Sequence, residues 1–159
     1  MAFEEVTESL QPGTESSIMM TDHYFATEVN DLGDGYMPMN EKQLSRIKTA
    51  FERNGGTIES SPELDRYLAI REAGAVTLNE NTIILRHNPP PTATEVFEEL
   101  IHTSQFRSGR VSTGNAIELE IEAKEKLLKY QKQYGIPDSE HESTKRQVEN
   151  LQRALVESE

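Results

Sequence analysis

Residues Thr82–His102 read Thr-Ile-Ile-Leu-Arg-His-Asn-Pro-Pro-Pro-Thr-Ala-Thr-Glu-Val-Phe-Glu-Glu-Leu-Ile-His and mark a change from strand to helix. The first residues are β-branched and apolar, which is typical of a buried strand. Three consecutive prolines then end any strand, because proline cannot donate to a sheet ladder. Thr92 with Glu95 forms a capping box, which predicts the start of a helix. This helix carries Glu98 and His102.

Capping residues and hydrophobic periodicity predict further elements on both sides of this stretch. Upstream, we expect a helix capped by Asn40, a short strand at 57–59, a short helix starting at Ser61-Pro62 and a hairpin of strands 75–78 and 82–86. Downstream, we expect a long helix over 116–134 and a last helix capped by Ser139 and Glu142. The predicted fold class is α+β, with a small antiparallel sheet or hairpin packed with helices and a C-terminal αα-hairpin.

Composition excludes several classes of function. The chain has 159 residues and no cysteine, which excludes disulfides, cysteine-bound zinc and thiol catalysis. Its net charge of −12 argues against nucleic acid as a partner, because binding to phosphates requires a basic surface. The apolar runs are only a few residues long and the first residues are acidic. We therefore expect a soluble protein with no membrane partner and no export signal of its own.

The negative charge is concentrated near the start of the chain. Residues 1–39 contain eight acidic side chains and no lysine or arginine, so they carry eight of the twelve net negative charges. The same segment lacks sustained apolar periodicity and ends in the turn-forming run Asp31–Pro38. Such a segment buries too little apolar surface to offset its ordering entropy. The sequence therefore predicts an acidic flexible arm or linker over 1–39 and one domain over 40–159.

Glu98 and His102 lie four residues apart, so a helix presents both side chains from one face. In the metalloprotease pattern His-Glu-x-x-His, two histidines at this spacing bind zinc and the glutamate between them acts as a base. Here a carboxylate replaces the first imidazole. Carboxylate oxygen can bind zinc, and the exchange of nitrogen for oxygen also suits manganese. We expect one divalent metal, with zinc favoured and manganese as an alternative.

A three-ligand site needs one more group, and the long helix offers Glu118, Glu120 and Glu122. On a helical wheel Glu120 lies between two apolar arcs, where a carboxylate needs a compensating cation, so it is the candidate third ligand. Glu99 lies close to the ligand face and is the candidate catalytic base. In the alternative interpretation, Glu98 and His102 form only a solvated i,i+4 contact that stabilises the helix by roughly a few tenths of a kcal/mol.

The order of residues over about 75–157 also resembles a known family. The matching features are a Thr-Ile-Ile-Leu-Arg strand, a proline break, the helix run Glu95–Gln105, the run Glu118–Leu127 and a Tyr-Gly-Ile-Pro turn. Together they are similar to the zincin-like metallopeptidase domains at the C-termini of bacterial polymorphic toxins. In those domains a Glu-Glu-x-x-His helix follows a β-element and precedes a helix rich in Glu-x-Glu-Ala.

The resemblance implies a metal-dependent hydrolase, a zincin-type peptidase that acts as a toxin effector. It implies Glu98 and His102 as metal ligands, Glu99 as the base, and either Glu120 or Glu122 as the downstream ligand. It also implies a protein or peptide substrate, an immunity protein as a partner, and either a cytoplasmic location or delivery as the C-terminal part of a larger secreted toxin. The alternative function is a non-enzymatic interaction module with a degenerate, metal-free zincin-like fold.

Overall fold

The computed structural model of the chain describes residues 24–28 and 35–158. These residues form a four-stranded sheet and the helices packed on it. In chain order the elements are β1 (Phe25–Glu28), α1 (Glu41–Arg53), β2 (Thr57–Glu59), α2 (Pro62–Ile70), β3 (Ala73–Asn79), β4 (Thr82–Leu85), α3 (Ala93–Arg107), α4 (Ala116–Lys129), α5 (Gln131–Tyr134) and α6 (Asp138–Ser158).

The strands lie in the order β1-β3-β4-β2. β3 pairs antiparallel with both β1 and β4, which includes the hairpin predicted around residues 79–81. β2 pairs parallel with β4, and α2 and β3 form the connection between them. The prediction of an α+β fold with a small sheet is confirmed, although the sheet is mixed rather than purely antiparallel.

Local capping signals predicted most helix starts. The side chain of Asn40 accepts a hydrogen bond from Gln43 N, Ser61 caps α2 in the same way, and Thr92 with Glu95 forms a complete capping box. The predicted Ser139 cap is wrong. α6 already begins at Asp138, and the hydroxyl of Ser139 donates to the carbonyl of Gly35 instead.

Apolar residues cover both faces of the sheet. Along β4, Ile83 and Leu85 point into a core shared with α1, α3 and α4, whereas Ile84 points into a smaller core with α2. This alternation follows from the two-residue period of a strand. On β1, Phe25 and Thr27 are buried. The sheet therefore has helices on both sides, with α3 packed against β1, β3 and β4.

Part of the segment 1–39 belongs to the sheet. Residues Phe25–Glu28 form β1, which pairs with β3, and Met39 is buried in the main core. For these residues the prediction of a loosely attached arm does not hold, because the backbone of β1 pairs with β3 and the side chain of Thr27 contacts Glu98, both more than forty residues away in the chain. Residues 1–23 and 29–34 lie outside the described residues.

The C-terminal part contains two packed helices, α4 and α6. The predicted long helix over 116–134 is interrupted at Tyr130, where α4 has ended and the short α5 begins. Gly135 ends α5 with a left-handed backbone, φ 66°, as the sequence predicted. The ring of Tyr134 stacks on Phe97 of α3 at 4.3 Å, so this turn also contacts the central helix. Among the described residues, no helix has the length and apolar character needed to cross a membrane.

Candidate metal centre

Helix α3 is fixed at its start by charge and capping. Glu95 accepts hydrogen bonds from the backbone and side chain of Thr92, and Arg86 on the preceding segment donates to the same carboxylate at 2.5 Å. Burial raises the pKa of Glu95, while Arg86 and Thr92 partly offset this effect. These contacts hold the first turn of α3 against the end of β4, one turn before Glu98.

The polar face of α3 is the part of the helix most removed from solvent. Glu98, Glu99 and His102 are each 0% exposed, and Gln105 is 2% exposed. They face β1, β3 and α4. The interpretation of Glu98 and His102 as a solvated surface pair is therefore wrong, because sheet and helix together cover the side on which they lie.

His102 has one satisfied ring nitrogen and one without a partner. Its Nδ1 lies 2.8 Å from Gln105 Oε1, and its ring stacks on Phe25 of β1 with centroids 3.9 Å apart. Its buried Nε2 has no hydrogen-bond partner among the described residues and lies 3.7 Å from Glu98 Oε2, beyond hydrogen-bonding distance. Burial would lower the pKa of His102, but the carboxylates of Glu98 and Glu99 raise it overall. In its neutral form the ring can offer the lone pair of Nε2 to a metal ion.

Three of the predicted site residues meet at this point. Glu98, His102 and Glu120 each offer a ligand atom, and these atoms all lie within 4.8 Å of one another. Ligand atoms about 2.1 Å from a tetrahedral zinc ion lie about 3.4 Å apart, so metal binding would draw these three side chains closer together. Their nitrogen and carboxylate oxygens fit zinc or manganese. These residues therefore form a candidate site for one divalent metal.

The two alternatives for the third ligand have different surroundings. Glu120 approaches Glu98 and His102, whereas Glu122 pairs with Arg110, whose guanidinium nitrogens lie 2.8 and 2.5 Å from its two oxygens. The hydrogen bonds from Arg110 lower the pKa of Glu122 to about 2. The geometry therefore favours Glu120 as the third ligand, in agreement with the helical wheel.

Lys124 is a buried cation in the same cluster that was not predicted from the sequence. Its Nζ lies 3.1 Å from both oxygens of Glu98 and 2.9 Å from Gln147 Oε1 of α6, and the residue is only 4% exposed. Burial alone would lower the pKa of Lys124, but the carboxylates of Glu98, Glu120 and Glu99 together outweigh this effect and raise the pKa. The available signal was its position one turn after Glu120 and directly after the core residue Ala123.

Glu98 remains ionised in spite of its burial. Desolvation would raise its pKa, but the charge of Lys124 and the neighbouring His102 bring the pKa down to about 2. The hydroxyl of Thr27 on β1 also lies 3.1 Å from Glu98 Oε2. The carboxylate is thus held in its ionised form by groups from β1, α3 and α4.

Glu99, the predicted base, lies on the sheet side of Glu98. Its carboxylate contacts the hydroxyl of Thr27 through one oxygen and that of Thr77 at 2.6 Å through the other. Burial raises the pKa of Glu99 to about 8, with a further contribution from the charge of Glu98. Since Thr27 has a single hydroxyl proton but contacts both glutamates, a protonated Glu99 can donate to Thr27 while Thr27 donates to Glu98.

Two grooves open near this region of the molecule. The smaller, of about 140 Å³, reaches the cluster: Glu120 and Lys124 form part of its wall together with residues of α6 and Ala26 of β1. The larger, of about 620 Å³, lies between α1 and the opposite side of α3, and none of the clustered side chains lines it. Of these two grooves, the smaller one therefore reaches the candidate metal centre, at Glu120.

Comparisons of the chain with protein-family models, with curated proteins and with solved structures gave no match. The resemblance to zincin-like toxin domains stays a prediction from the sequence.

Removal of Lys124 tests its role as the internal partner of Glu98. In Lys124→Met the Glu98 carboxylate loses its buried counter-charge, so we expect the free energy of unfolding to fall by about 3–5 kcal/mol in metal-free buffer. Urea unfolding gives this quantity. Lys126→Met is the matched control, because Lys126 is half exposed and its nearest carboxylate oxygen, on Glu122, is 3.9 Å away. Equal stabilities of the two variants would contradict the assignment.

The pKa of Glu99 predicts a pH dependence of stability. Because the pKa is raised from 4.5 to about 8, the folded protein holds a proton that the unfolded chain releases. The resulting stabilisation is complete below about pH 4.5 and is lost as the pH rises through about 8, by at most about 1.4 kcal/mol per pH unit. Glu99→Gln removes this titration.

We therefore expect Glu99→Gln to gain stability relative to the wild type as the pH rises from about 5 to about 8. Urea unfolding at several pH values in metal-free buffer measures the difference. A difference that stays constant over this range would mean that the folded protein does not hold a proton on Glu99.

Proposed function

We propose that this protein is a metal-dependent hydrolase of the zincin type, with one divalent ion bound by Glu98, His102 and Glu120. The observation that carries the proposal is the buried, unpartnered Nε2 of His102 beside two carboxylates. Buried polar atoms of folded proteins almost always have partners. A metal ion supplies the partner that the described residues do not.

Charge balance supports a divalent ion. The cluster contains three carboxylates, those of Glu98, Glu99 and Glu120, and one ammonium, that of Lys124. Glu99 is protonated in the metal-free cluster because its pKa is raised to about 8, and a bound cation favours its ionised form. With Glu99 ionised and the imidazole neutral, the three carboxylates and Lys124 sum to two negative charges, which one divalent cation balances.

The chain's own residues supply the rest of the chemistry. A bound divalent ion provides a Lewis acid that polarises a carbonyl and activates water. Glu99 would accept the proton of the attacking water on a carboxylate oxygen, because a cation beside it favours its ionised form. Thr27 and Thr77 hold the two oxygens of Glu99 in place. Substrate would enter through the groove beside Glu120 and Lys124.

The resemblance of the sequence supplies the biological part of the proposal. On this basis the substrate is a protein or peptide, and the domain acts as a toxin effector, either in the cytoplasm or after delivery as the C-terminal part of a larger secreted protein. An immunity protein would be its partner. Zinc is the proposed metal, and manganese is the alternative because two of the three ligands are carboxylates.

One observation favours a second function, that of a metal-free interaction module. Lys124 contacts both oxygens of Glu98, so this carboxylate is already compensated by a side chain of the protein itself. In this view Lys124 stands where a cation would bind and the cluster is purely structural. The Nε2 of His102, which has no hydrogen-bond partner among the described residues, favours the metal-binding function instead.

Metal binding separates these two functions. We expect about one equivalent of zinc or manganese per chain after equilibrium dialysis and elemental analysis, and at least a tenfold loss of affinity in Glu120→Gln, since a ligand oxygen is replaced by a weaker donor. Glu118→Gln is the matched control, because Glu118 lies on the exposed side of α4. If the wild-type protein binds neither metal in stoichiometric amount, the metal-free module becomes the better assignment.

Hydrolysis is tested separately with a fluorescence-quenched peptide library. We expect the metal-loaded wild type to cleave members of the library and Glu99→Gln to lose at least about 100-fold in rate, because general base catalysis contributes about 10²–10⁴-fold. The variant should still bind metal, since Glu99 is not one of the three ligands. Undiminished cleavage by Glu99→Gln would exclude it as the base, and no cleavage by the wild type would contradict a peptide substrate.

A further inference from the structure

A chain of hydrogen bonds lies behind His102, on the side away from Glu98. Gln105, one turn further along α3, accepts from His102 Nδ1 through its Oε1 at 2.8 Å. Its Nε2 donates to the carbonyl of Leu119 and to Glu122 Oε1, both at 3.0 Å. Arg110, in the segment between α3 and α4, then holds Glu122 through two hydrogen bonds.

The two partners of Gln105 Nε2 fix the orientation of its amide. A backbone carbonyl and an ionised carboxylate can only accept hydrogen bonds, so they must face the NH₂ group. The amide oxygen therefore faces His102 and can only accept. In the neutral imidazole, Nδ1 must then carry the proton and Nε2 must present its lone pair.

The negative charge of Glu98 favours the other tautomer. Nε2 points toward Glu98 Oε2, and a negative carboxylate at 3.7 Å attracts a proton to that nitrogen. Without an acceptor at Nδ1, the ring would carry its proton on Nε2 and direct it at Glu98. A protonated Nε2 has no lone pair to offer a metal ion.

We propose that Gln105 is the positioning residue of the metal centre: it holds His102 in the tautomer whose Nε2 can bind metal, and Glu122 and Arg110 hold Gln105. This proposal rests on the proposed metal-binding function. It also gives Glu122, the other candidate for the third ligand, a distinct role behind the histidine. Hydrogen-bonded groups of this kind orient metal-binding histidines and raise their affinity for the ion.

The tautomer can be observed without metal. We expect ¹⁵N NMR of the imidazole, at a pH at which the ring is neutral, to find the His102 proton on Nδ1 in the wild type. Gln105→Leu should move it to Nε2. Gln133→Leu, the same replacement at an exposed glutamine of α5, is the matched control and should leave the tautomer unchanged. If Gln105→Leu keeps the proton on Nδ1, the proposal is overturned.

Metal affinity gives the second readout. We expect Gln105→Leu to bind zinc about 10–100-fold more weakly than the wild type. The double variant Gln105→Glu, Glu122→Gln keeps an acceptor at Nδ1 and exchanges the charges of the neighbouring pair, so it should recover most of the affinity and the wild-type tautomer. It also serves as the test if Gln105→Leu fails to fold, since an Nε2–H tautomer in the double variant would equally overturn the proposal.

The two proposals fail in different ways. A wild-type protein that binds no zinc but carries the proton on Nδ1 would contradict the metal-dependent function and leave the role of Gln105 in the tautomer intact. A wild type that binds zinc with the same affinity as Gln105→Leu would contradict the role of Gln105 and leave the metal site intact.

Discussion

The burial of the Glu98 carboxylate is the constraint on which the arrangement of the helices and the sheet depends. An ionised carboxylate without contact with water needs a counter-charge and hydrogen bonds. Lys124 of α4 provides the charge and Thr27 of β1 provides a hydroxyl. Because both partners must reach the same side chain on α3, the positions of α4 and β1 relative to α3 are fixed together. Packing in the hydrophobic cores stabilises the fold. The contacts of Glu98 with Lys124 and Thr27 specify where α4 and β1 lie along α3.

Local signals in the sequence were sufficient for much of this structure. The capping box of Thr92 and Glu95 defines the start of α3 whatever lies around it, and the four-residue spacing puts Glu98 and His102 on one face. Glu120 could be singled out because a helical wheel places it between apolar arcs. Each of these conclusions depends only on residues within one helix, where distances follow directly from the sequence.

The burial of the polar face of α3 could not be predicted in this way. Polar residues at helical spacing ordinarily indicate a solvated face, and the reverse holds here because Thr27, Thr77 and Lys124 cover that face. These partners come from three other elements, and no rule of spacing connects them to Glu98 or Glu99. The same limit explains why β1 was assigned to an arm: its residues gain their partners only when β3 lies beside them.

The residues of β1 also determine when the site is completed during folding. Thr27 and Glu98 are separated by 71 positions in the chain, so their contact closes one of the longest loops in the described structure. Closing such a loop costs entropy before the contact is gained, so long-range contacts form more slowly than the local contacts of a helix. A chain in which only the helices had formed would carry Glu98 and His102 on one turn of α3 but lack the Thr27 hydroxyl and the Phe25 ring. Complete assembly of the centre thus coincides with completion of the fold.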